Sequence, residues 1–238
     1  MIIEKKEFFA VLLSIVGLLV FSLIPAPTAA NFFARGEHYF AGDDTYDLER
    51  ARSYYEEALK RDPELPAAWH QLARIDFLEG NFSEALAEIN KQIELHGTTV
   101  AGSYYVRGLI HGYRKEFAAA EQNFLTYKEL HPNSWGVYND LAWIYFQQGK
   151  YERAAEVAKQ GLALRPNNAW LLTSYGMALS NLGKKEEARP ILEKALREAK
   201  KLSPEAWSRN NPGNDPRIAA EGLAQMTAII EGNLHTLP

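Results

Sequence analysis

The sequence predicts an all-α protein: an α-solenoid of about five helix-turn-helix repeats, with a C-terminal capping helix and an N-terminal hydrophobic helix in front. Three observations predict it. Alanines return at a fixed phase, at Ala51, Ala85, Ala120, Ala154 and Ala188, separated by 34, 35, 34 and 34 residues. Apolar residues around them recur at i, i+3, i+4 and i+7, the signature of one helical face. Pro63, Pro132 and Pro166 each follow their alanine by twelve residues, so the units end in phase as well. A period of this length, kept over five units, is the mark of stacked supersecondary units that bury a continuous core.

Residues 1–30 come first. After MIIEKKE runs FFAVLLSIVGLLVFSLI, 17 uncharged residues from Phe8 to Ile24. At about 1.5 Å per residue they make a helix of roughly 26 Å, a little short of a bilayer core of about 30 Å. Lys5 and Lys6 precede the run and the next positive charge is Arg35, so the start is expected in the cytoplasm and the rest outside. An uncleaved signal-anchor accounts for the length of the run, which exceeds the usual apolar region of a cleaved signal. The alternative is a secreted or periplasmic protein cut near Ala30, where Thr28-Ala29-Ala30 offers small residues behind Pro25 and Pro27.

The repeats follow over residues 31–202, as units at about 32–65, 66–99, 101–134, 135–168 and 169–202. The fourth, WGVYNDLAWIYFQQGKYERAAEVAKQGLALRPNN, shows the logic. Tyr138, Leu141, Ala142 and Tyr145 form the apolar face of a first helix. Gly149 ends it, because glycine takes the left-handed conformation without penalty. Tyr151, Ala154, Ala155, Ala158 and Leu162 form the face of a second helix, which Pro166 stops. Small residues at Ala73, Gly108, Ala142 and Gly176 in the first helices, facing the alanine series of the second, let the two axes approach closely.

Residues 203–215, SPEAWSRNNPGND, read as a loop, being rich in proline and asparagine. Residues 216–238 read as a capping helix and tail. Asp215 and Pro216 supply an N-cap and a first-turn proline, Ala219, Leu223, Met226 and Ile230 form one apolar stripe, and Gly232 is the expected stop.

Taken with the aromatics at their fixed places, these residues resemble the tetratricopeptide repeat (TPR) family over about residues 34–202. The resemblance implies a right-handed superhelix and a role in protein binding. Three departures mark this chain: the insertion GDDTYDLERA in the first unit, Arg107 where a leucine is usual in the third, and Pro190 inside the second helix of the fifth, where a kink is expected. The cochaperone branch of the family uses a basic clamp for a peptide carboxylate. Here the corresponding positions hold Tyr105, Val106, Asp140, Trp170 and Ser174, so that specificity is not implied.

Composition excludes several functions. A net charge of −4 gives no excess of Lys and Arg for a nucleic-acid backbone. With no cysteine there is no disulfide framework or thiolate metal site. The six histidines form no HExxH and no i, i+4 pair, and no phosphate-binding glycine loop or nucleophile motif occurs. No catalytic residue, metal site or cofactor is expected, and the chain is expected not to be an enzyme.

Function is expected instead on the concave surface that solenoid first helices line. Helical spacing turns Arg74, Tyr105, Leu109, Tyr113, Asn139, Trp143, Phe146, Trp170, Thr173 and Met177 toward that groove, along with His70 and Phe77. The leading expectation is a membrane-tethered, extracytoplasmic scaffold that binds a segment of a partner protein there, with the aromatics supplying affinity and Asn139 fixing the partner's backbone. The alternatives are an envelope-biogenesis or polysaccharide-binding component, whose aromatics stack on sugars, and a self-assembling structural module.

Overall fold

A computed structural model describes residues 26–41, 45–210 and 219–238. Among these residues all regular structure is helical. Helices α1 (Ala29–Ala41) and α2 (Leu48–Arg61) form the first hairpin, α3 (Ala68–Glu79) and α4 (Phe82–His96) the second, and α5 (Gly102–Tyr113) and α6 (Phe117–Leu130) the third. The fourth is α7 (Trp135–Gln147) with α8 (Tyr151–Leu164), and the fifth is α9 (Ala169–Asn181) with α10 (Lys185–Ala199). Two more helices follow, α11 (Pro204–Asn210) and α12 (Ala219–His235). The hydrophobic run 8–24 lies outside the described residues. Among those described, no helix is long and apolar enough to cross a membrane.

Close approach within each hairpin follows the small-residue series, which the structure extends by one unit to Gly36. A Cβ on Gly36 would meet the Tyr55 ring at 2.5 Å, one on Gly108 the Phe124 ring at 2.6 Å, and one on Gly176 Leu192 Cγ at 2.6 Å. Each of these three large side chains stands four residues after its repeat's alanine, and each is fully buried. The small residue and the large one thus form a single packing unit across the hairpin.

The turns repeat as well. Gly80, Gly149 and Gly183 adopt φ of 80°, 70° and 78°, and Lys115 holds the equivalent place at φ 63°. Between α4 and α5 a 3-10 turn, Gly97–Val100, stands where other units have proline. Within the inserted segment, Asp47 caps α2 by accepting from the Arg50 amide at 3.0 Å. Arg107 is tied between helices: its Nε donates to Asn123 Oδ1 at 2.7 Å and its Nη1 to Asn90 Oδ1 at 3.0 Å. Helix α10 runs continuously through the exposed Pro190.

Two expectations about the C-terminal region change. Residues 204–210, expected as loop, form α11. Ser203 caps it, its Oγ accepting from the Ala206 amide at 3.2 Å, and Pro204 sits at the first helical position, where its missing N–H costs nothing. Trp207 of α11 is buried, its indole over Gly222 of α12. Helix α12 does not stop at Gly232 but continues to His235. Leu234 and Leu237 pack into the core beyond the glycine, and that burial outweighs a helix cost of about 1 kcal/mol. Asp215 and Pro216 lie outside the described residues. The stripe of Ala219, Met226 and Ile230 is buried, and α12 packs on α10.

The hairpins stack so that α3, α5, α7 and α9 touch one another in turn, while successive second helices stay farther apart. The row that crowds together is the inside of the curve. The inner face is therefore built by the first helix of each unit.

Candidate functional site

The inner face begins with a polar end. Glu37 of α1 accepts from Tyr55 Oη at 2.6 Å and from Gln71 Nε2 at 2.5 Å. Arg74 donates to Gln71 Oε1 at 2.9 Å, and its guanidinium carbon lies 4.3 Å from the centre of the Phe40 ring. Burial lowers its pKa, and the Glu37 carboxylate opposes that shift. His70 Nδ1 lies 3.1 Å from Ser103 Oγ; burial, helped by Arg74, pushes its pKa down to about 3, so the ring is neutral at physiological pH.

The middle of the face is aromatic. The Phe77 ring meets Tyr113 edge-on at 5.2 Å, Phe82 lies 6.0 Å from Tyr113, and Tyr113 lies 5.6 Å from Trp143. Tyr113 is 58% exposed, the most open large side chain of the group. Trp143 rests on the backbone of Gly112, where an added Cβ would meet its ring at 2.7 Å.

Beside the aromatics lies Asp140. Tyr105 Oη donates to its Oδ2 at 2.5 Å, and Asn139 Nδ2 approaches Oδ1 at 3.5 Å. Burial raises its pKa to about 6, against the two hydrogen bonds, which lower it. Ser174 Oγ donates to Asn139 Oδ1 at 2.9 Å. Asn139 is thus engaged inside the protein, which weakens its expected role of holding a partner backbone.

The residues singled out by helical spacing therefore divide. Tyr105, Leu109, Tyr113, Asn139 and Trp143 come together on α5 and α7, with Tyr105 and Leu109 packed against the core. Phe146 turns toward its own hairpin, its ring 5.2 Å from Tyr151. Thr173 is 9% exposed and its hydroxyl donates to Ala169 O at 2.7 Å, so it offers no free group. Met177 packs against the cluster under α12. Trp170 pairs with Trp135 at 5.8 Å and lines a separate shallow depression of about 390 Å³ with Pro166, Glu198 and Lys201. Arg74 stands at the polar end.

Sequence reasoning missed the connections along this face. Glu37–Gln71, His70–Ser103, Tyr105–Asp140 and Asn139–Ser174 each join one first helix to the next, at separations of 34, 33, 35 and 35 residues. Asp140 is the only Asp, Glu, Lys, Arg or His in α7 and α9, and that isolation is the sequence signal that points to it.

Models of the tetratricopeptide repeat match residues 44–98 and 145–208, and a second such model matches residues 105–169. The chain belongs to the tetratricopeptide repeat family. This TPR chain is 25% identical over 186 residues, 76% of its length, to anaphase-promoting complex subunit 3 of Schizosaccharomyces pombe. It is 29% identical over 168 residues, 69% of its length, to the TPR repeat-containing protein YpiA of Bacillus subtilis. It spans only 28% and 38% of those two relatives. Among solved structures it resembles MamA of Desulfovibrio magneticus RS-1, with a TM-score of 0.65 at 15% identity, over 74% of this chain and 97% of that one. It also resembles YrrB, described as a TPR protein with an unusual peptide-binding site, with a TM-score of 0.59 at 18% identity, over 74% and 93%. These structural likenesses establish a shared TPR fold.

Proposed function

We propose that this chain is a protein-interaction scaffold that holds a segment of a partner protein against its inner face, centred on Tyr113 and Trp143. The carrying observation is the exposure of Tyr113, 58%, at the centre of a cluster of four aromatic rings. An aromatic group open to solvent on a concave face is a ready source of binding energy once a partner desolvates it. The peptide-binding description of YrrB supports the same kind of role for this architecture.

Tyr113 is the better position to test, because Trp143 also covers the Gly112 backbone and its loss disturbs packing. A photo-crosslinking phenylalanine analogue at position 113 should yield one reproducible protein adduct in cells, while the same analogue at the exposed Glu156 of α8 should not. Tyr113→Ala should then weaken capture of the identified partner at least about tenfold, with an unchanged melt. Equal adducts at both positions, or capture unaffected by Tyr113→Ala, would refute the groove.

The run 8–24 tethers the repeats outside the cytoplasmic membrane in this reading, on the strength of the charges before it. What supports an intact tether over cleavage near Ala30 is the start of α1. Thr28 Oγ1 accepts from the Asn31 amide at 3.3 Å and Asn31 Oδ1 accepts from the Thr28 amide at 2.9 Å, so a cut there removes the cap. Mass measurement of the mature protein from alkali-washed membranes tests this. A soluble species beginning after Ala30 rejects it.

A further inference from the structure

We propose that the groove selects a positively charged side chain, Lys or Arg, from the partner segment, with the Asp140 carboxylate as its acceptor and the Tyr113 and Trp143 rings as its walls. This rests on the groove reading above and adds the chemistry of the partner to it.

Charge complementarity carries the inference. Asp140 is the only Asp, Glu, Lys, Arg or His in α7 and α9, so it sets the sign of the field over the C-terminal half of the inner face. Its partners within the protein are neutral: Tyr105 on Oδ2 and, at 3.5 Å, the Asn139 amide on Oδ1. Among the described residues no Lys, Arg or His lies within ion-pairing distance of it. Three other part-buried carboxylates pair with cations, while Glu37, like Asp140, is held by a tyrosine and a side-chain amide. Asp76 has Arg52 at 2.6 Å, Glu116 has Arg114 at 2.9 Å, and Glu121 has Arg153 at 3.8 Å.

A carboxylate accepts about four hydrogen bonds, and two directions here are taken. Asp140 is part-buried rather than sealed, and the remaining directions are the ones a ligand would use. Trp143 follows Asp140 by three residues on α7, hence on the same helical face, and Tyr113 adjoins Trp143 at 5.6 Å. A cation between these groups gains a charged acceptor and ring faces together, and each strengthens as the partner excludes water. An acidic residue at the same point meets an uncompensated like charge, which gives discrimination as well as affinity.

Protonation adds an independent readout. The titratable groups facing Asp140 are Tyr105 and Tyr113 of α5, phenols that are uncharged over this pH range and shifted further upward, with Tyr127 of α6 behind Tyr105; α9 carries no Asp, Glu, Lys, Arg or His. With its pKa near 6, Asp140 is ionised at pH 7.5 and mostly neutral at pH 5, so cation selection should fade over that range.

The test uses the full chain in detergent, labelled with 5-fluorotryptophan, the Trp143 resonance being assigned with Trp143→Phe. N-acetyl-arginine methylamide should shift that resonance saturably at pH 7.5. N-acetyl-norleucine methylamide should bind roughly tenfold more weakly. Asp140→Asn, or pH 5, should erase the preference, and a purely structural Asp140 would move the melt without touching it. If the arginine and norleucine amides shift Trp143 alike, or Asp140→Asn keeps the preference, cation selection is wrong while the groove survives. If neither amide shifts Trp143, the subsite is refuted, and crosslinking at position 113 decides the groove separately.

Discussion

Replacing Lys115 with glycine should stabilise the protein, and the size of the gain follows from one dihedral angle. Three hairpin turns place glycine at φ of 70° to 80°, and the third hairpin places Lys115 there at φ 63°. The left-handed region costs a residue with a Cβ about 1–2 kcal/mol, from the approach of that carbon to the next carbonyl. Glycine removes this cost but regains freedom in the unfolded chain, about 0.5–1 kcal/mol. The difference leaves a net gain of about 0.5–1 kcal/mol. No side-chain loss intervenes, since Lys115 is exposed and pairs with no carboxylate among the described residues. Gly149→Ala is the mirror experiment: nothing lies within 4 Å of the added Cβ, so its loss of about 1 kcal/mol is backbone alone. Urea unfolding followed by circular dichroism measures both, with an unchanged m-value and melting shifts of about 2–4 °C per kcal/mol. Solenoids unfold by repeat, so amide exchange in α5 and α6 should slow in Lys115→Gly. A neutral or destabilised Lys115→Gly, beside a Gly149→Ala that loses its 1 kcal/mol, would refute the strain argument.

Three further outcomes are expected. Gly108→Ala should destabilise by about 2 kcal/mol in a thermal melt, because its Cβ would lie 2.6 Å from the ring of a fully buried Phe124 hemmed in by Tyr105. Ala142→Leu, at a position 1% exposed between α7 and α8, should cost about 1–3 kcal/mol by the same measurement. Glu88 should make stability fall with rising pH: burial first, then its hydrogen bond with Asp76, raises its pKa to about 8, so the folded state keeps a proton that the unfolded chain releases above about 4.5. Glu88→Gln should therefore gain over wild type at pH 8.5, by about 2 kcal/mol once the full shift is discounted for solvent screening at this part-exposed site, and almost nothing at pH 4.5, and an equal difference at both pH values rejects the assignment.

The repeat and its packing were legible because they depend on residues a few positions apart. Gly149 at a helix end, Ala154 opposite a first helix and Met226 on the cap stripe can each be assigned from their own ten-residue surroundings. Two local signals compete in the C-terminal region. The prolines and asparagines of 203–215 favour a loop, while Ser203-Pro204 is itself a helix start. Gly232 is a stop signal on its own, but the burial of Leu234 and Leu237 beyond it carries the helix on. Gly36 escaped for another reason: the inserted segment shifts the first helix out of register with the alanine series.

The site was half legible, and the missing half has a physical cause. Helical spacing tells which way a side chain leaves its own helix, and it brought Tyr113 and Trp143 to one face. It does not tell what the next unit sets opposite that side chain. In a solenoid that neighbour lies one period along the chain, so the useful comparison is between residue i and residues near i+34. Glu37 with Gln71, Tyr105 with Asp140 and Asn139 with Ser174 are then complementary donor and acceptor pairs at that distance. Each such pair removes groups from the set available to a ligand, which is why Asn139 drops out while its neighbour Asp140 stays. Subtracting the pairs from the exposed face leaves the open ring of Tyr113, the part-open Trp143 and the unshared lone pairs of Asp140. The binding chemistry of this inner face is what the repeat does not satisfy for itself.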